Sequence, residues 1–185
     1  MIRRLLLGII ILPVLLLNSE VRAQGTTGFE ILRLDIYPRG SALAGATVAD
    51  ANSIECIYYN PAGLWSLEKR TAAFGYVNYL LDIGSGYVAY VEPRQLWGTW
   101  GIFANYTSYG KFDGRSVTGV DEGEFSASDI IFGLSYANNI KNRVSIGVNG
   151  KFVHSTIDNY IGTALAFDLG SQVELIPDRL RLGAG

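Results

Sequence analysis

From Arg70 onward, apolar and polar residues alternate with a period of two. "TWGIFANYTSY" puts Trp100, Ile102, Ala104 and Tyr106 on one face and Thr99, Gly101, Asn105 and Thr107 on the other, with Phe103 the exception. "SDIIFGLSYA" sets Ile130, Phe132, Leu134 and Tyr136 against Asp129, Gly133 and Ser135. "RVSIGVNGKF" sets Val144, Ile146, Val148 and Phe152 against Ser145, Gly147, Asn149 and Lys151. "ALAFDLGSQV" sets Leu165, Phe167, Leu169 and Val173 against Ala166, Asp168, Gly170 and Gln172. This alternation predicts strands with one apolar and one polar face. "RTAAFGYVNYL" and "GSGYVAYVE" read as two less regular strands, and a seventh begins near Leu180. At about ten residues each, these strands exceed the soluble mode of about five to six.

Before Arg70 the pattern changes twice. Residues 1–23 carry Arg3-Arg4, an apolar run from Leu5 to Leu17, and Val21-Arg22-Ala23, the layout of a secretory signal peptide cut after Ala23. Residues 24–69 are mixed and Ala-rich, without alternation. There Asp50 is expected to cap a short helix over Ala51 to Tyr58. Asn60 reads as a second N-cap, with Pro61 at the first helical position, where its missing N–H costs nothing. Gly63 permits close approach of a neighbouring backbone. Residues 70–185 form the strand region.

Long alternating strands behind a signal peptide predict an all-β, antiparallel transmembrane β-barrel, with a secreted β-sandwich as the competing fold. The linkers "EPRQLWG", "ANNIKNR" and "IPDRLR" are short and share one side of the sheet. On the other side "GKFDGRSVTGVDEGE" reads as a long, flexible, charged loop. Tyr90, Trp97 and Trp100 fall near one edge, and Tyr79, Tyr106 and Tyr109 near the other, as interfacial belts would. Six or seven strands do not close a barrel, since bacterial single-chain barrels have an even number from about eight upward. The chain is therefore expected to be the N-terminal part of a longer protein.

The bulk composition narrows the function classes. The chain has 185 residues, 17% charged, with 22 Gly and a net charge of -2. Nothing basic enough for nucleic acid stands out. The single cysteine, Cys56, excludes a disulfide within the chain and reads as a small buried hydrophobe. His154 is the sole histidine, and its neighbour Ser155 points to the opposite face of a strand, so no hydrolase constellation is expected. Phosphate-loop and calcium-loop spacings are missing from the sequence, and no catalytic residue, metal or cofactor is expected. On the polar face, pairing the fourth and fifth strands about "NNIKN" predicts Asp129 roughly opposite Lys151, with Asp168 in reach of the same lysine. That group reads as a structural charge pair closing the lumen, or alternatively as a polar constriction in a conduit.

"GSALAGATVADANSIECIYYNPAGLWSL" resembles the N-terminal signature of the FadL-like barrels, carried here by Gly45, Ala46, Asp50, Tyr59, Asn60, Pro61, Ala62 and Gly63. Within that group "FSASDIIFGLSYANNI", "SIGVNGKFVHSTI" and "GTALAFDLG" are similar to the middle strands of the PorV/PorQ family. The resemblance implies a barrel in the bacterial outer membrane with residues 24–69 as a short helical plug in its lumen. It makes Asn60-Pro61-Ala62-Gly63 the hinge between plug and first strand. It also implies a non-enzymatic component of type IX secretion, with exported cargo, other secretion components and outer-membrane lipid as partners. The alternative is a FadL-like channel for hydrophobic small molecules. The polar inward faces favour the first.

Overall fold

The structure is a computed structural model that describes residues 29–80, 82–94, 97–115, 118, 121–140, 143–177 and 179–185. The signal-peptide assignment lies outside the described residues. Seven antiparallel strands run in sequence order: β1 (Thr71–Asn78), β2 (Gly84–Arg94), β3 (Gly98–Arg115), β4 (Asp121–Ile140), β5 (Val144–Ile157), β6 (Tyr160–Ile176) and β7 (Leu180–Ala184). Each pairs with its neighbour, and the sheet curls into a half-barrel with β1 and β7 at its edges. Among the described residues no helix is long and apolar enough to cross a membrane.

The period-two pattern sorts as the physics requires. Phe74, Val88, Ile102, Phe132, Leu134, Phe152, Leu165 and Phe167 are exposed on the outward face. Asn105, Thr107, Ser135, Asn149, Lys151 and Gln172 are buried on the inward one. They are covered by residues 29–66, which hold a 3-10 turn (Glu30–Arg33), helix α1 (Pro38–Ala42), helix α2 (Cys56–Tyr59) and a 3-10 helix (Pro61–Ser66). This segment spans the height of the sheet. Phe29 lies beside Gly162 at the β5–β6 turn, while Pro61 and Ala62 lie on Gly147 near the start of β5.

Apolar residues also point inward, Ala89, Val91 and Ala137 among them. Phe103, Ile131 and Val153 are buried with Ile31, Ile36, Ile57, Tyr58 and Leu64 in the core between segment and sheet. The segment has an apolar underside, so the wall beneath it needs apolar patches.

Two expectations are corrected. The stretch read as a flexible loop is largely a two-stranded ribbon, Lys111–Arg115 against Asp121–Ser126, running beyond β2 and β5. A bulge between Ser108 and Lys111, with Gly110 at φ 77°, shifts the alternation by one residue and hides the strand in the sequence. Phe112 therefore stacks on Phe125, 5.3 Å between ring centroids. Tyr109 leaves the predicted outer belt, and its hydroxyl donates inward to Asp129 Oδ2 at 2.7 Å. The second correction is Asp50, which caps no helix. Its carboxylate takes two hydrogen bonds from the Arg39 guanidinium, at 2.7 and 3.0 Å, and α2 begins only at Cys56.

Candidate functional site

The inward wall of β3–β7 and the segment it holds form the candidate site. Asn60 caps the 3-10 helix Pro61–Ser66, its Oδ1 accepting from Ala62 N at 3.1 Å. Its amide nitrogen points the other way. It donates to Val48 O at 2.6 Å and to Ser171 O and Ala184 O at 3.3 Å each. One fully buried side chain thus ties a loop of the segment to β6 and β7. Pro61, Ala62 and Gly63 are buried beside it.

Glycine makes this approach possible. A Cβ at Gly147 would collide with Pro61 C and Ala62 N, and one at Gly170 with Asn60 Oδ1. A Cβ at Gly63 would lie 2.7 Å from Asp50 O and from Cys56 Sγ. Real Cβ contacts are not this short, so at Gly147 backbone lies on backbone, and at Gly170 the strand lies directly on the Asn60 side chain.

The polar residues of β5 and β6 hydrogen-bond to segment carbonyls. Asn149 Nδ2 donates to Ile57 O at 2.9 Å, and Lys151 Nζ to Tyr58 O at 3.4 Å. These are carbonyls of the short helix α2, which has too few turns to satisfy them itself. Gln172 Nε2 donates to Val48 O at 3.1 Å and to Asp50 O at 2.7 Å. Lys151 Nζ also lies 2.6 Å from Asp168 Oδ2 and 4.3 Å from the centroid of the Tyr58 ring. Asp168 in turn accepts from Asn149 Nδ2 at 3.1 Å. A buried ammonium needs this much compensation, since desolvation otherwise outweighs a single ion pair.

Asp129 is not in this group. The β4–β5 register places it opposite Ser155, and Lys151 opposite Gly133. Strand β4 continues through Asn138-Asn139-Ile140, so the turn falls later than predicted and each partner is displaced by four residues. Asp129 holds Tyr109 instead.

Above α2 the segment packs through rings. Tyr37 lies 5.2 Å from Tyr58 and 4.2 Å from Tyr87, and Tyr58 meets Phe103 edge-on at 5.9 Å. Tyr37 donates to Asn105 Oδ1 at 2.9 Å, and Tyr58 to Leu32 O at 3.0 Å. Burial raises the Tyr37, Tyr58 and Tyr59 phenols above their ordinary value and pushes the Cys56 thiol up to about 12. The carboxylate of Glu55 accepts from Arg39 N and Gly40 N at 3.2 and 3.0 Å, serving the open N-terminus of α1.

Sequence reasoning missed Asn149 and Gln172 as partners of the segment. Their signal was visible as inward amides flanking inward glycines, but it read as lumen lining. At the short-turn end a cavity of about 700 Å³ is lined by Trp65, Glu68, Asn139, Arg143, Glu174 and Arg181, among others.

Comparison of the chain with models of known protein families gave no match, and comparison with curated proteins gave none either.

Proposed function

We propose that the protein acts in the bacterial outer membrane as a β-barrel of the PorV/PorQ type, a non-enzymatic component of type IX secretion that binds exported cargo. The observation that carries this reading is the use made of the inward wall. Asn149, Lys151 and Gln172 donate to carbonyls of residues 48–58, so the polar face is engaged by the chain's own segment; in the reading proposed, that segment is the plug of a closed barrel. A channel for hydrophobic molecules would need an apolar path, whereas charged and amide side chains line the 700 Å³ cavity. The exposed outward apolar face is compatible with lipid. In this reading Asn60-Pro61-Ala62-Gly63 joins the plug to β1, and Lys151–Asp168 braces it.

The test compares a deletion strain with the same strain complemented by the full gene, any loss being read in the deletion strain. Surface display of exported proteins and uptake of a fluorescent long-chain fatty acid are measured together. Loss of display with unchanged uptake is expected. Loss of uptake with unchanged display would establish the channel instead.

A further inference from the structure

The outward face carries a second feature at the short-turn edge. Tyr90, Glu92, Arg94, Trp97 and Trp100 frame an open groove of about 480 Å³. Trp97 is 73% and Trp100 44% exposed, large areas for indoles on a folded surface. Trp100 lies directly across from Glu92 in the β2–β3 ladder, and its ring sits 4.7 Å from that of Tyr136.

The charges here are organised. Glu92 accepts from Tyr90 OH at 2.6 Å and lies 3.0 Å from Arg70 Nη2 and 3.9 Å from Arg94 Nε. One carboxylate thus stands against two guanidiniums, leaving one positive charge. The carboxylate is already served by a phenol and Arg70, while the Arg94 side chain is 63% exposed with a long contact only. Arg94 can therefore accept an anion without breaking the Tyr90–Glu92–Arg70 chain. Along the sheet from these groups, Val88 and Ile102 extend the groove as exposed apolar surface.

A guanidinium at the rim, indoles beneath it and an apolar strip beyond match one ligand chemistry, a phosphate monoester or diester joined to hydrocarbon. We infer that this groove is a headgroup site for a phospholipid of net charge -1, such as phosphatidylglycerol, with its phosphate on Arg94, its glycerol region on Trp97 and Trp100, and its acyl chain along Val88 and Ile102. A free phosphate would not use the indoles or the strip. The site rests on the membrane reading above and adds which lipid class the surface selects.

The test reconstitutes the full-length protein into phosphatidylcholine vesicles containing a minor fraction of phosphatidylglycerol with brominated acyl chains, and reads tryptophan quenching. One uncompensated guanidinium at a membrane surface corresponds to roughly fivefold enrichment of a monoanionic lipid. Quenching should exceed the mole-fraction expectation by about that factor, and should fall to that expectation in Arg94→Gln. Arg94 is 63% exposed and also borders the inward cavity, so heat-modifiable migration checks that the variant folds. Arg33→Gln, in the inward segment, should leave the enrichment unchanged. Brominated phosphatidylethanolamine should show none. Mole-fraction quenching in the wild type, or equal enrichment of both lipids, overturns the site while the membrane reading stands. If brominated phosphatidylcholine also fails to quench, the membrane reading falls and the site with it.

Discussion

Asn60→Asp distinguishes a simple helix cap from the three-way anchor. Aspartate caps as well as asparagine, so a residue needed only for capping would tolerate the change. The structure gives the opposite expectation. The Asn60 amide faces Val48 O, Ser171 O and Ala184 O, and the side chain is fully buried. A carboxylate placed there has no proton to donate and meets three carbonyl oxygens. An uncompensated buried charge costs about 3–5 kcal/mol. Asn60→Ala removes a cap worth about 1 kcal/mol. It also removes a donor from Val48 O, but Gln172 still serves that oxygen at 3.1 Å. The alanine variant should therefore lose about 1–3 kcal/mol in all. A gap of about 2 kcal/mol between the variants is roughly a thirtyfold difference in the population with the segment released. Hydrogen exchange of residues 56–64 in the detergent-solubilised protein reads that population directly. Asparagine should protect most, alanine less and aspartate least, and the aspartate defect should shrink in acid as the new carboxyl gains a proton to donate. Protection with aspartate equal to wild type would refute the anchor and leave only a cap.

Gly147→Val should displace the segment, because its Cβ meets the backbone of Pro61 and Ala62, whereas Gly150→Val on the same strand finds its nearest neighbour at 3.7 Å in Phe167. Proteolysis of residues 29–66 should accelerate in the first and not in the second. Phe152→Arg, on the exposed outward face, should cost about 2–4 kcal/mol if the sheet lies in lipid. It should cost under about 0.5 kcal/mol if that face meets water, as denaturant titration in bilayers will report. In alkali the segment should loosen. Cys56, Tyr37, Tyr58 and Tyr59 all have folded values raised by burial. Their contribution is complete below the ordinary values of 9.0 and 10.0 and is lost as pH rises above them, for Cys56 toward about 12. Maleimide labelling of Cys56 should stay negligible near neutral pH and rise together with phenolate absorbance; labelling at neutral pH would place the thiol outside the core.

Much of the sheet was legible because a half-buried strand writes its two environments into alternate residues. The outward apolar set of β3 to β6 was read residue by residue. What alternation could not convey was the covering of the inward face. Asn149, Lys151 and Gln172 look alike whether they face water or the carbonyls of another segment, and only tertiary placement separates the two. Phe103, Ile131 and Val153 were the local sign that something apolar lay above them. Register failed at Asp129 because the composition of "NNIKN" marks a turn without fixing which residues close it. The ribbon was missed for a related reason. One extra residue at the bulge moves Phe112 into phase with Phe125 and erases the pattern in β3.

The anchoring of the segment also dictates an order of events. Asn60 is held by carbonyls 111 and 124 residues later, and Gln172 reaches back 124 residues to Val48 and 122 to Asp50. Closing loops of that length is slow compared with forming adjacent hairpins. Residues 48–60 are synthesised early, yet the Ile57 and Tyr58 carbonyls acquire their side-chain donors only once β5 exists, and Val48 and Asp50 acquire Gln172 only once β6 exists. Until then the segment has only the early strands to pack on, through Tyr87 and Phe103, so this early-made part of the chain is a long-lived aggregation hazard. Docking of the segment should accordingly be the last and slowest kinetic phase of refolding, after the sheet has formed.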